Sequence, residues 1–106
     1  YDCVISNNDS MALGAIEALK EHGDDLSEIP VLGVDATTDG CASIKTGEMA
    51  FTVYQSATGQ GKAAIEVISK LVNGQSAQKV DGVSKDGLYV WVPFEKVDKS
   101  NVSNYN

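Results

Sequence analysis

Three short apolar runs, each closing on polar residues and each followed by a segment of helical apolar spacing, limit what this chain can fold into. The first run is Cys3, Val4 and Ile5, bounded by Ser6, Asn7, Asn8 and Asp9, and it predicts a buried strand with a polar end. Met11, Ala12, Ala15, Ile16 and Leu19 then recur three and four apart, so a helix follows with one apolar stripe. Asn8 or Asp9 can cap that helix, and His22 with Gly23 closes it. Ile29 to Val34 is a second apolar run, too short for a helix, with Asp35 at its carboxyl end. Thr38 or Asp39 opens a short helix through Ile44 and Lys45, stopped by Gly47, and Ala50 to Tyr54 makes a third strand followed by Gln55. Ser56 or Thr58 starts a longer helix with Ala64, Ile65, Ile68, Leu71 and Val72 on one stripe, ended by Asn73 and Gly74. Asp81-Gly82 and Asp86-Gly87 are turn signals, Leu88 to Phe94 reads as a last strand, and the tail through Asn106 is polar.

Strand and helix alternating in this way predict an α/β fold, a parallel sheet with helices on its faces. In such sheets ligands bind in the crevice beyond the carboxyl ends of the strands. That rule selects Ser6 to Asp9, Asp35 with Ala36, and Gln55 with Ser56. Asn and Gln side chains both donate and accept hydrogen bonds while an ionised Asp only accepts, an inventory suited to the hydroxyl groups of a sugar. Ordinary structural roles compete at each place. Asn8 and Asp9 serve equally as helix caps, and Asp35 can orient the turn that follows it.

Other chemistry finds little support. Eight Lys and no Arg against fifteen acidic residues give a formal charge of -7, a surface that repels nucleic acid phosphates and anionic lipid heads. No apolar run approaches the roughly 20 residues that span a bilayer. The lone His22 sits at a helix end, where a cation-capable ring suits the dipole, and no nucleophile stands with a base, so an enzyme is not expected. Gly59, Gly61 and Lys62 fail as a phosphate loop because Ser56 replaces the first Gly and Ala63 follows the Lys. Cys3 and Cys41 lack metal or redox spacing; free thiols are the expectation, with a disulfide between them left open. Trp91 alternates with Val90 and Val92 and reads as a packing residue rather than a ligand platform. The start at Tyr1 has neither an initiator Met nor a signal-peptide layout, so upstream sequence is expected.

The blocks VISNNDSMALGAIEALKEHG, IPVLGVDAT, IKTGEMAFTVYQ and VWVPFEKVDKSN, in that order and at those separations, resemble the carboxy-terminal third of the bacterial galactose/glucose-binding proteins. The first block is also similar to the effector domains of regulators resembling the lactose repressor, which leaves a sugar-sensing effector domain as the alternative. The resemblance implies a two-lobed fold closing on one sugar. In it, residues 1–54 belong to the second lobe, 55–57 cross between lobes, 58–92 belong to the first lobe, 93–95 cross back and 96–106 return. It also implies that Asn8 and Asp35 hydrogen-bond sugar hydroxyls. Gln55 matches a position where the galactose/glucose carriers usually have Asn and pentose carriers have Gln. Asp2 aligns with an acidic ligand of a structural calcium site whose remaining ligands would lie upstream; no other cofactor is implied. The implied partners are a monosaccharide, a membrane ABC permease, a chemoreceptor and the amino-terminal part of the same protein. The implied location is outside the cytoplasm, in the periplasm or on a lipoprotein anchor.

Overall fold

The computed structural model describes residues 1–105. Its elements are β1 (Val4–Ile5), α1 (Asp9–His22), β2 (Val31–Leu32), α2 (Thr38–Thr46), β3 (Phe51–Gln55), α3 (Ala57–Val72) and β4 (Phe94–Asp98), with short 3-10 helices at Ala77–Lys79 and Val102–Asn104. The strands form one sheet in the order β1-β2-β3-β4. Pairing is parallel between β1 and β2, with Val4 opposite Val31, and between β2 and β3, with Leu32 opposite Phe51. The α/β class expected from the alternation is the class observed. Backbone contacts divide the chain into two compact units: Tyr1–Gln55 with the segment from Glu95 onward, and Ser56–Phe94.

In the first unit α1 packs on β1 and β2, α2 packs near β3, and the two helices touch each other. Local sequence sets their ends. Asn8 and Thr37 accept hydrogen bonds from the backbone N–H groups of Met11 and Gly40, and Gly23 closes α1 at φ 87°, a conformation glycine adopts without penalty. Ala12, Ile16 and Leu19 of α1 meet Val31, Ala36, Cys41, Ile44, Met49, Val97 and Val102 in one buried cluster. A fully buried Ile or Val side chain contributes about 1.5–3 kcal/mol, so this cluster is the main support of the unit.

Several expectations need correction. β1 is not a buried strand: successive side chains alternate between faces, and while Val4 packs on the core, Ile5 is 77% exposed and Cys3 is exposed too. Met11 likewise falls off the buried stripe of α1, and Leu13 packs at its flank instead. Leu88 to Phe94 is not a strand. Positive-φ glycines at Gly82 and Gly87 fold residues 80–91 into a small hairpin held by the Val83 and Val90 bridge, and the continuous strand begins only at Phe94, beyond Pro93. The polar tail contains β4, and its isolated apolar residues Val97 and Val102 enter the core.

The second unit is built differently. Ser56 caps α3 by accepting from Gly59 N, yet no residue of α3 is buried. The expected stripe is apolar, but Ile65 and Val72 remain 72% and 79% exposed, and the described residues approach the stripe only along its Ala64 and Ile68 side. There a groove lined by Ala64, Val67, Ile68, Val83, Tyr89 and Val92 separates α3 from the hairpin. Tyr89 and Trp91 stack on one another with ring centroids 5.7 Å apart, and both are exposed, so Trp91 fills no core among the described residues.

Two glycines in the first unit have no room for a side chain. A Cβ at Gly33 would lie 2.2 Å from Asp9 Oδ1, and one at Gly40 would lie 2.2 Å from Asp9 Oδ2. Gly33→Ala and Gly40→Ala should each destabilise the protein by about 2–3 kcal/mol in urea unfolding, through overpacking against a carboxylate that is itself held in place. Wild-type midpoints for both variants would contradict this packing.

Candidate functional site

The carboxyl ends of β1, β2 and β3 lie along one edge because the three strands run parallel and in register. Beyond β1 the chain turns directly into α1; beyond β2 it passes through Asp35 and Ala36 to α2; β3 ends at Gln55 itself. Asp9 N donates to Val34 O at 2.8 Å, which makes Asn8 and Asp35 the neighbours of a bonded pair. Asp35 N in turn donates to Val53 O at 2.8 Å, and Gln55 Nε2 donates to Asp35 Oδ1 at 2.9 Å. Asp35 and Gln55 are thus in direct contact, with Asp35 exposed and Gln55 half-buried. Asn8 joins them from the adjacent strand end, without a hydrogen bond to either.

Asn8 combines two capacities. Its Oδ1 accepts from Met11 N at 2.9 Å and caps α1, while its Nδ2 makes no hydrogen bond among the described residues. The cap therefore leaves a donor pair available at the edge. Asp35 offers acceptor lone pairs beyond the one Gln55 uses, and Gln55 retains its carbonyl oxygen. Together they present donors and acceptors at three neighbouring strand ends.

The backbone at Asp35 and Ala36 is unusual, with φ of 109° and 52°, two successive non-glycine residues in the left-handed region. Below them lies a network that spacing arguments do not reveal. Asp9 is fully buried; its Oδ2 accepts from Thr37 N at 2.7 Å and Thr37 Oγ1 at 3.0 Å, and its Oδ1 accepts from Thr52 Oγ1 at 2.5 Å. Thr37 Oγ1 accepts from Gly40 N, and Thr52 Oγ1 accepts from Ala36 N at 3.3 Å. Each hydroxyl has a single proton and gives it to Asp9, which makes Asp9 the common acceptor. The only sequence signal for this role was the position of Asp9 before a helix, where Asn8 competed for the same assignment.

The remaining candidates sit apart from this edge. Asp2 is exposed, and among the described residues no group of three or more His, Cys, Asp or Glu could hold a metal ion. Calcium requires about 6 to 8 oxygen ligands, so the described residues do not by themselves make the implied calcium site. Cys3 and Cys41 are both free, and burial, followed by the nearby Asp9 charge, pushes the Cys41 thiol up from its ordinary value, which keeps it inert. His22 pairs with Asp24 at 3.0 Å on the surface. No helix among the described residues is long and apolar enough to cross a membrane.

A family model described as a periplasmic binding protein domain matches residues 1–76. The chain belongs to the periplasmic binding protein family. Within it, the D-galactose/methyl-galactoside binding periplasmic protein of Haemophilus influenzae is 38% identical over 104 residues, 98% of this chain and 30% of that protein. Among solved structures, a periplasmic solute binding protein of an ABC transporter from Actinobacillus succinogenes, with bound D-allose, superposes with a TM-score of 0.77. Identity is 30%, over 98% of this chain and 33% of that one. A solute binding protein from Bacillus halodurans with bound myo-inositol is 36% identical with a TM-score of 0.73, covering 97% of this chain and 32% of the other. The chain therefore spans about a third of the length of these members of the family.

If Asn8 caps α1 as described, Asn8→Ala should cost about 1 kcal/mol in chemical denaturation, and Asn8→Ser, which restores an acceptor, should recover most of it. Equal stability of wild type and Asn8→Ala would rule the cap out.

Proposed function

We propose that this chain forms part of the ligand cleft of an exported solute-binding protein that captures one free monosaccharide or ring polyol and delivers it to a membrane permease, without covalent chemistry. The observation that carries the reading is the exposed Asp35 carboxylate, hydrogen-bonded to Gln55 at 2.9 Å and set beside Asn8 at one sheet edge. A sugar hydroxyl needs both a donor and an acceptor, and leaving a buried polar group unpaired costs on the order of 1–3 kcal/mol, so such a trio discriminates hydroxyl patterns well. Relatives with bound D-allose and bound myo-inositol, and one named for D-galactose, support a neutral ring of that size.

Within that class the proposed ligand is a hexose such as galactose or glucose. Gln55 is the residue that bears on the choice: its side chain is one methylene longer than Asn and reaches Asp35 directly, which moves the donor relative to an Asn at the same strand end. In the proposed lobe plan, residues 1–54 and 96–106 lie in one lobe, 58–92 in the other, and 55–57 and 93–95 cross between them. The two compact units, which change over at Gln55–Ser56 and Phe94–Glu95, support that plan. Capture then proceeds by closure of the lobes on the ligand, each hydroxyl exchanging water for a fixed side chain.

Calorimetric titration of the complete protein with galactose, glucose, ribose, allose and myo-inositol tests this reading. One of these should bind, and Asp35→Ala should weaken it by about 2–4 kcal/mol, the loss expected for charge-assisted hydrogen bonds. Unchanged affinity in Asp35→Ala would remove Asp35 from the site.

A further inference from the structure

Non-glycine residues resist the left-handed region, and each one held there costs about 1–3 kcal/mol unless its surroundings impose the conformation. Here two stand in succession at the carboxyl end of β2, Asp35 at φ 109° and Ala36 at φ 52°. Both are tied down through their N–H groups. Asp35 N is bonded to Val53 O of β3, and Ala36 N donates to the buried Thr52 hydroxyl at 3.3 Å. Thr52 gives its own proton to Asp9 Oδ1 at 2.5 Å, which orients the hydroxyl with a lone pair towards Ala36 N. Asp9 is in turn fixed by Thr37 N and Thr37 Oγ1, at the residue next after Ala36. The strained pair is therefore held at Asp35 by β3 and, through Ala36 and Thr37, by one buried acceptor, and the carboxylate that emerges from it is the exposed group bonded to Gln55.

We infer that Asp9 and Thr52 are positioning residues for ligand capture. They stay buried away from the ligand, and their hydrogen bonds hold the Asp35–Ala36 backbone in the geometry that aims the Asp35 carboxylate along the sheet edge. The inference rests on the reading of Asp35 as a ligand group and adds to it a cause for that group's orientation. It also assigns a role to the strain: without the clamp, Ala36 returns to negative φ and Asp35 swings away from Gln55.

The test is the affinity of the complete protein, at a temperature where every variant is folded, for whichever of galactose, glucose, ribose, allose or myo-inositol binds wild type tightest. Thr52→Val removes the hydroxyl at nearly constant volume and should weaken binding about 10- to 100-fold, whereas Thr52→Ser should stay within about threefold. Adding Ala36→Gly to Thr52→Val should recover about fivefold, because glycine enters the left-handed region freely. A merely structural Thr52 would lower the melting temperature, leave affinity unchanged, and gain nothing from Ala36→Gly. If Thr52→Val does not fold, Thr52→Ala carries the same expectation. Wild-type affinity in the folded Thr52 variants overturns the positioning role alone. Failure of wild type to bind any of the five probes overturns the ligand reading and this inference with it.

Discussion

The buried carboxylate of Asp9 is the interaction on which the arrangement of the first unit depends. It stands at the first turn of α1, where the helix dipole favours a negative charge, and it collects donors from the β2–α2 connection and from β3. Removing such a group from water is costly, and that cost is offset only when its oxygens are satisfied, as three donors satisfy them here. Two consequences follow for the sequence. Positions 33 and 40 must lack a side chain, since a Cβ at either would overlap the carboxylate, and positions 37 and 52 must supply hydroxyls. Backbone bonds already join the ends of β1, β2 and β3, and the Asp9 side chain adds a link from the segment after β1 to Thr37 after β2 and to Thr52 in β3.

That link explains why the edge is polar and ordered at once. Asn8 is held by its cap on α1, and Asp35 by the clamped turn beside Thr52, so neither has to be ordered by a ligand. Side chains fixed before binding spare the ligand the entropy of immobilising them, of order 0.5–1.5 kcal/mol each. The same economy shows in the division of labour between adjacent residues: Asn8 faces the edge and caps with its oxygen, whereas Asp9 faces inward and organises the fold.

Much of this was legible in the sequence because it is local. The helices, their caps at Asn8, Thr37 and Ser56 or the immediate neighbours of these residues, and the strand ends at Asp35 and Gln55 all follow from spacing and from the chemistry of single side chains. What was not legible depends on partners distant in sequence. Asp9 and Thr52 are 43 positions apart, and nothing near either marks them as bonded. Val97 and Val102 are lone apolar residues in a polar stretch, so no periodicity reveals that they fill the core. Ile65 and Val72 show the opposite failure: their spacing is helical and apolar, but the 105 described residues leave them exposed. Periodicity reports that a face is apolar, not which part of a protein covers it. The chain spans about a third of the length of the relatives it matches.

The central claim is that a ring polyhydroxyl ligand is held by side chains at the carboxyl ends of three neighbouring strands, above a buried Asp9 that it does not touch. A crystal structure of the complete protein with its tightest-binding monosaccharide or cyclitol tests this most directly. The account predicts ligand hydroxyl oxygens within about 2.6–3.2 Å of the side chains of Asn8, Asp35 and Gln55, with Asp9 still bonded to Thr37 and Thr52. A ligand bound away from that edge, or one coordinated by Asp9 itself, would contradict it.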